Sequence, residues 1–201
     1  MNSNKYSIQI DNGKIVVTFL NPINKPVAHS FFDILNAPCF NSDMTQVSFF
    51  ASSCELLSSY LKQINGGRSL SYNQTNNLIH YLELQQQFLE RNELIFYTFN
   101  PDDILIIDES IFICISSTYL KTVKNGYILF KSPFEKILCS PEVMAINKIP
   151  AKCNRDSALF SLANLAFFVL FKTEYSSYSS SYLDTIKYTK LYWCLISTSH
   201  N

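Results

Sequence analysis

The chain has 201 residues, of which 47% are hydrophobic, and it can therefore bury a substantial core in one domain or in two small lobes that share an interface. Its 16 basic and 16 acidic side chains cancel to a net charge of +0. The chain lacks the positive excess that binding to nucleic-acid phosphates requires, so nucleic acid is set aside as a main partner.

The six cysteines are scattered singly, with no C-x-x-C pair and no nearby histidine that would complete a metal site. No signal-peptide pattern is seen at the amino terminus, so we expect free, mostly buried thiols in a reducing compartment and a cytoplasmic protein. The most hydrophobic stretch, residues 158–171, is shorter than the roughly 20 apolar residues of a membrane span. We therefore predict a buried helix there and no membrane partner.

The first fifty residues have the pattern of a small β-sheet. Strand-like runs at residues 6–11 and 14–20 flank Asn12-Gly13, which is a strong signal for a two-residue hairpin turn. A further strand is predicted at residues 46–51, and residues 29–36 are predicted as a short helix.

Two helices are predicted next. The first begins at Ser52 or Ser53 and ends at Gly66-Gly67. The second begins with Ser71 and Gln74, spaced as in a capping box, where each side chain satisfies a backbone donor at the other residue. Its apolar face follows the 3.6-residue period of a long helix, with Leu78, Leu82, Gln85 and Leu89 in line.

Short strands and further helices complete the predicted order. Three strands are expected at residues 94–99, 103–107 and 111–115. The last third is predicted to be helical, at residues 141–146, from Asp156 onward and at residues 182–196, with a surface loop at residues 175–182. The fold class is therefore α+β in two unequal lobes, a β-rich amino-terminal piece at residues 1–52 and a mainly helical piece at residues 53–201.

Several segments, in order, resemble those of eukaryotic-type protein kinases. The run from Phe99 through Pro101 to Ile106 resembles the catalytic loop and the strand after it, usually L-K-P-E-N-I-L followed by a hydrophobic residue. Ser140-Pro141-Glu142 resembles the A-P-E motif, and the run that begins at Phe160 resembles the W-S-L-G that opens the buried central helix. With residues 189–193, the pattern looks most like the degenerate kinase-like proteins of large DNA viruses. The resemblance implies a protein-kinase-like two-lobe fold with a reduced amino-terminal lobe and a truncated carboxyl-terminal lobe.

The same resemblance implies that the catalytic residues are replaced. Thr98 stands at the position of the catalytic aspartate and cannot act as a carboxylate base. Ser116 stands at the first position of D-F-G and brings no negative charge to hold magnesium. No G-x-G-x-x-G run is present to cradle phosphates. The resemblance therefore implies a pseudokinase without an intact catalytic residue.

One carboxylate occupies a position that could still bind metal. Asp103 replaces the metal-binding asparagine and is a weak candidate ligand, although an acidic turn residue at the start of a strand is the interpretation we favour. Lys14 or Lys25 could be the phosphate-binding lysine with Asp33 as its partner, but solvated surface charges are the better interpretation.

Glu142 raises a separate question, because the glutamate of A-P-E is normally paired with an arginine. A buried, unpaired carboxylate is costly. Either Glu142 is exposed, or another cation such as Arg155 or Lys190 pairs with it.

We expect a catalytically inactive kinase-like protein that serves as an interaction or regulatory platform for a protein partner, without a cofactor. One alternative is an unorthodox nucleotide-binding kinase with residual phosphotransfer, which would use ATP and magnesium at Asp103 or its neighbours Asp102 and Asp108. Another is a decaying duplicate without specific activity. Serine-nucleophile chemistry lacks support, because His29 and His80 stand in no recognisable motif.

Overall fold

The computed structural model describes residues 5–62 and 69–171. Four predicted features lie outside these residues: the helix end at Gly66-Gly67, the loop at residues 175–182, the helix at residues 182–196 and the segment 189–193 with Lys190. The rest of the predicted elements fall on described residues.

The amino-terminal fifty residues form an antiparallel sheet of four strands in the order β1-β2-β4-β3. The strands are β1 (Tyr6–Asp11), β2 (Lys14–Phe19), β3 (Cys39–Phe40) and β4 (Gln46–Phe50). Asn12 and Gly13 have φ angles of 49° and 76°, the left-handed conformation that a two-residue hairpin turn requires. The predicted hairpin is confirmed.

The short helix of this region begins earlier than predicted. Helix α1 (Lys25–Ser30) has Pro26 in its first turn, where a fixed φ favours helix initiation. It runs on into a 3-10 turn at Phe31–Asp33. The prediction at residues 29–36 was therefore wrong at both ends, because it ignored the proline signal.

The helix predicted from Ser52 or Ser53 is also wrong in its first turn. Residues Cys54–Leu56 form strand β5, and helix α2 (Leu57–Lys62) follows it directly. The backbone N–H groups of Ser52 and Ser53 both donate to Oδ1 of Asp108 at 2.8 Å. These hydrogen bonds fix the backbone of the two serines to a distant turn just before β5.

The long helix α3 (Tyr72–Glu90) confirms the prediction in detail. The Ser71 hydroxyl accepts from the Gln74 N–H at 3.2 Å, and the Gln74 side chain accepts from the Ser71 N–H at 3.0 Å. The predicted apolar face is buried, with Leu78, Leu82, Gln85 and Leu89 all among the buried residues.

Two consecutive buried glutamines of α3 bind strand backbones through their side-chain amides. Gln85 donates to the carbonyl of Cys114 and accepts from its N–H, both at 2.9 Å, and also donates to Ser30. Gln86 donates to the carbonyl of Phe96 at 2.9 Å and accepts from its N–H at 2.8 Å. Each amide therefore satisfies both backbone groups of one buried strand residue.

The three strands predicted after α3 are present. They are β6 (Leu94–Phe96), β7 (Ile104–Ile107) and β8 (Ile111–Cys114), with a 3-10 turn at Pro101–Asp103 before β7. Strands β5, β7 and β8 form a three-stranded antiparallel sheet in that order.

A second four-stranded sheet was not predicted. It contains β6, β9 (Leu120–Lys124), β10 (Tyr127–Phe130) and β11 (Ala151–Asn154), in the order β11-β10-β9-β6. Helix α4 (Pro141–Met144) lies between β10 and β11, and α5 (Asp156–Phe171) follows. Both helices confirm the prediction.

The fold class is α+β, as predicted. The elements follow the predicted order of a sheet, a short helix, a long capped helix, short strands and then helices, except that strand β11 lies between α4 and α5. One hydrophobic cluster of buried residues includes members from β2 to α5. The described part of residues 53–201 contains seven strands besides its helices; the division at residue 52 stays a prediction. Within residues 5–62 and 69–171, no helix is long and apolar enough to cross a membrane.

Candidate functional site

A cleft of about 230 Å³ lies between the amino-terminal hairpin and the segment that follows β8. Lys5, Tyr6 and residues 19–23 line one side, and residues 115–118 line the other. The backbone N–H of Asn24 donates to the Ser117 hydroxyl at 3.2 Å and links the two sides. The cleft therefore lies beside the position that the resemblance assigns to D-F-G.

Asp103 lies at the end of the 3-10 turn and has a completely buried side chain. Its backbone carbonyl accepts from the Ile115 N–H at 2.9 Å. Oδ1 accepts from the Tyr6 hydroxyl at 2.6 Å and lies 3.5 Å from the ammonium of Lys5. Oδ2 is buried and has no hydrogen-bond partner among the described residues. Asp103 thus ends a turn, as the favoured interpretation had it, but its side chain is enclosed by the protein.

Tyr6 provides the strongest contact to this carboxylate. Burial, followed by the hydrogen bond and the negative charge of Asp103, raises the pKa of Tyr6 well above its ordinary value. The phenol therefore stays protonated and donates to Asp103 across the physiological pH range. Its ring packs edge-on against Phe19, with centroids 6.0 Å apart.

Thr98, at the position of the catalytic base, has a fully buried side chain whose hydroxyl donates to the carbonyl of Ile137. The neighbouring Tyr97 hydroxyl donates to the carbonyl of Glu135 at 2.9 Å. These two contacts tie the catalytic-loop segment to residues 135–137. Thr98 therefore has a structural contact, because its hydroxyl proton is engaged in the hydrogen bond to the Ile137 carbonyl.

Ser116 and its neighbours bind one another. The Ser116 hydroxyl donates to the Thr118 hydroxyl at 3.0 Å and accepts from the Thr118 N–H at 3.2 Å. Tyr6, which binds Asp103, and Ser116 both line the cleft. The structure thus brings Asp103 and Ser116 together around Tyr6.

The other proposed charges lie elsewhere. Asp108 receives the Ser52 and Ser53 N–H groups, so it does not share a site with Asp103. The side chains proposed as the phosphate-binding pair are exposed, namely Lys14, Lys25 and Asp33. No group of three or more His, Cys, Asp or Glu side chains within the described ranges could hold a metal ion.

The A-P-E-like segment begins helix α4. The buried Ser140 accepts from the Val143 N–H at 3.3 Å as the helix cap, with Pro141 in the first turn. Glu142 is exposed, which agrees with the first of the two alternatives.

Three further predictions concern Arg155, Phe160 and the cysteines. Arg155 is one of the two cations proposed to pair with Glu142. Its guanidinium lies 3.4 Å from the carboxylate of Glu90. Phe160 is half-buried in α5. All five cysteines in the described part of the chain are free, and four of them are buried, as expected.

Sequence reasoning missed Tyr6. The alternation of β1 places Tyr6 on the same inward face as Ile8 and Ile10. A polar group such as the tyrosine hydroxyl is unusual on the inward face of an amphipathic strand. A hydroxyl at an inward position needs a partner. That need is the signal that could have indicated a buried acceptor.

No family model matches the chain, and no curated protein matches it. Among solved structures, the chain is similar to the kinase PK-1 of Cydia pomonella granulovirus, with a TM-score of 0.48 and 12% sequence identity. The match covers 85% of this chain and 72% of the kinase.

Proposed function

We propose that this chain is a catalytically inactive, protein-kinase-like protein that acts by binding a protein partner in the cytoplasm. One observation carries the proposal: the carboxylate that remains at the kinase-like site, Asp103, is buried and bound by the chain's own Tyr6. A carboxylate engaged in this way is not presented to a nucleotide-bound metal.

The remaining positions support the same conclusion. Phosphoryl transfer relies on a base near the acceptor hydroxyl and on negative charges that hold magnesium. The Thr98 hydroxyl donates a hydrogen bond to the Ile137 carbonyl, and the Ser116 hydroxyl donates one to the Thr118 hydroxyl. Neither side chain can replace the lost carboxylate. A fold kept without this chemistry is suited to recognition of another protein.

The test combines thermal unfolding with a phosphotransfer assay. ATP at about 100 times its dissociation constant would stabilise the fold by roughly 2.7 kcal/mol. We expect no shift of Tm with millimolar ATP and magnesium, no difference when a chelator replaces the magnesium, and no transfer to protein substrates or to the chain itself. A magnesium-dependent shift together with transfer would overturn the proposal.

A matched pair of variants sharpens this test. Thr98→Asp restores the carboxylate of the kinase pattern, and Thr98→Val removes the hydroxyl without adding charge. We expect neither variant to gain transfer. Activity in Thr98→Asp alone would show that the rest of the site is competent, against the proposal.

One observation favours the nucleotide-binding alternative. Oδ2 of Asp103 is buried without a hydrogen-bond partner among the described residues, and Tyr6, which binds Oδ1, lines the cleft. Removal of the Tyr6 side chain would open the way to this carboxylate. If Tyr6→Ala bound ATP with magnesium while the unchanged protein did not, the site would be able to bind a nucleotide and the Tyr6 side chain would be what blocks it. If neither bound, the alternative would fail.

A further inference from the structure

Strand β1 lies at one edge of the amino-terminal sheet with one side unpaired. The Leu20 N–H donates to the Lys5 carbonyl at 3.0 Å, and Tyr6 pairs with Phe19 in the register. Backbone groups alternate sides along an antiparallel strand, so the odd-numbered residues of β1 bond to β2. The N–H and C=O groups of Tyr6, Ile8 and Ile10 therefore point away from the sheet. Among the described residues no strand pairs with them.

This edge lacks the protections that sheet edges usually carry. The opposite edge strand, β3, is only two residues long, and a short edge offers little to pair with. β1 has six residues, no proline and no charge on its inward face. Ile10 lies on that inward face and is 54% exposed. Within the described residues, more than half of the Ile10 side chain is therefore accessible, although strand β5 lies close to β1.

The sequence of β1 is complementary to itself when reversed. With Ile8 opposite Ile8 of a second copy, Tyr6 stands opposite Ile10 and Ser7 opposite Gln9. Apolar residues then meet on the inward face and polar residues on the outward face. All residues with outward-directed backbone groups fall opposite one another, as an antiparallel ladder requires.

The charges at the two ends favour the same arrangement. Lys5 and Asp11 are the charged residues of the segment 5–11, and the antiparallel register places each beside the other in the second copy. The Lys5 side chain is 53% exposed although it lies 3.5 Å from Asp103. A parallel arrangement would bring like charges together instead, which is destabilising.

We propose that β1 pairs antiparallel with β1 of a second copy of this chain, about a two-fold axis at Ile8, so that the two four-stranded sheets become continuous. This inference goes beyond the proposed function, because self-association through β1 requires neither a nucleotide nor another protein.

Sedimentation of the full chain over a range of concentrations tests the proposal with a matched pair of variants. Ser7 and Gln9 are exposed on the outward face, so they can be changed without loss of core packing. Ser7→Glu with Gln9→Glu places like charges across the axis twice, and Ser7→Glu with Gln9→Lys places opposite charges there. We expect the unchanged protein to approach twice its monomer mass of 23.1 kDa. The dissociation constants of the two variants should differ by about tenfold or more, with the Glu/Glu variant the weaker.

Amide hydrogen exchange gives a second measurement that locates the interface. The amides of Ile8 and Ile10 should exchange rapidly in the dilute monomer and slowly in the dimer, while the amides of Ser7 and Gln9 stay protected in both. A protein that remains monomeric at every concentration overturns the proposal. So does a dimer with the same dissociation constant in both variants, because its interface would lie elsewhere.

Discussion

The hydroxyl of Tyr6 lies 2.6 Å from Oδ1 of Asp103, which stands 97 residues later in the chain. This bond joins the first strand of the protein to the turn that the kinase resemblance identifies with the catalytic loop. Because Oδ1 is fully buried and its neighbour Oδ2 has no hydrogen-bond partner among the described residues, the carboxylate depends heavily on Tyr6. Loss of this one donor would leave a nearly unpaired buried acceptor.

Tyr6→Phe should lower the free energy of unfolding by about 1–3 kcal/mol, since it removes a hydrogen bond to a buried carboxylate at almost constant volume. Urea denaturation measures the change. Tyr72→Phe is the control, because Tyr72 is 45% exposed at the start of α3. Equal effects in the two variants would show that the bond contributes nothing to the fold.

The free energy of unfolding should decrease as the pH rises above 9. Burial raises the pKa of Cys54 and Cys114 from 9.0 to about 12 and that of Cys139 to about 11. Between these values the unfolded chain has lost protons that the folded chain retains, so the free energy of unfolding decreases with rising pH. Each thiol contributes a slope of up to about 1.4 kcal/mol per pH unit above pH 9. This contribution is fully present below pH 9.

Urea midpoints measured between pH 7 and 11 test this dependence. Cys114→Ala should flatten the alkaline decline, whereas Cys39→Ala, at an exposed thiol, should leave it unchanged. A decline of the same steepness in both variants would assign the effect to other groups. Buried tyrosines such as Tyr97 and Tyr119, whose pKa values burial also raises, would then be the candidates.

Gln85→Leu and Gln86→Leu should each destabilise the fold by about 2–4 kcal/mol. Leucine keeps the volume, but it leaves the N–H and C=O of Cys114 or Phe96 buried without partners. Gln87→Leu is a closely matched control, because the next residue of the same helix is exposed. Chemical denaturation of the three variants should separate Gln87→Leu clearly from the other two.

Thr98→Val should cost about 1–2 kcal/mol, because it removes the donor to the buried Ile137 carbonyl with little change of shape. Thr122→Val, at an exposed position of β9, should be neutral or slightly stabilising, since valine favours strands. If Thr98→Val were as stable as the unchanged protein, the hydroxyl would have no structural role and would have to be explained by function.

Much of the fold could be predicted because its signals are local. The capping box at Ser71 and Gln74 fixed the start of α3 to the residue, and Asn12-Gly13 marked the first hairpin. Asn125-Gly126 carries the same signal between β9 and β10, with φ angles of 52° and 76°. No hairpin was predicted there, because the polar residues Lys121, Thr122 and Lys124 hide the alternation.

The site was harder to predict because its contacts join residues far apart in sequence. The resemblance singled out Asp103 as a weak candidate metal ligand, and the pattern around it favoured a turn residue. Its burial follows from Tyr6 and from Ile115, whose N–H binds the Asp103 carbonyl. Local propensity carries no information about such pairs.

Through the consecutive side-chain amides of Gln85 and Gln86, helix α3 is hydrogen-bonded to edge strands of two different sheets. Cys114 belongs to β8, which ends the three-stranded sheet, and Phe96 belongs to β6, which ends the second four-stranded sheet. If this part of α3 detached, the backbone groups of Cys114 and Phe96 would lose their hydrogen bonds to the glutamine side chains in a single event. The resulting species would offer two fresh templates for intermolecular β-pairing. Aggregation during heating should therefore follow the melting of this one helix.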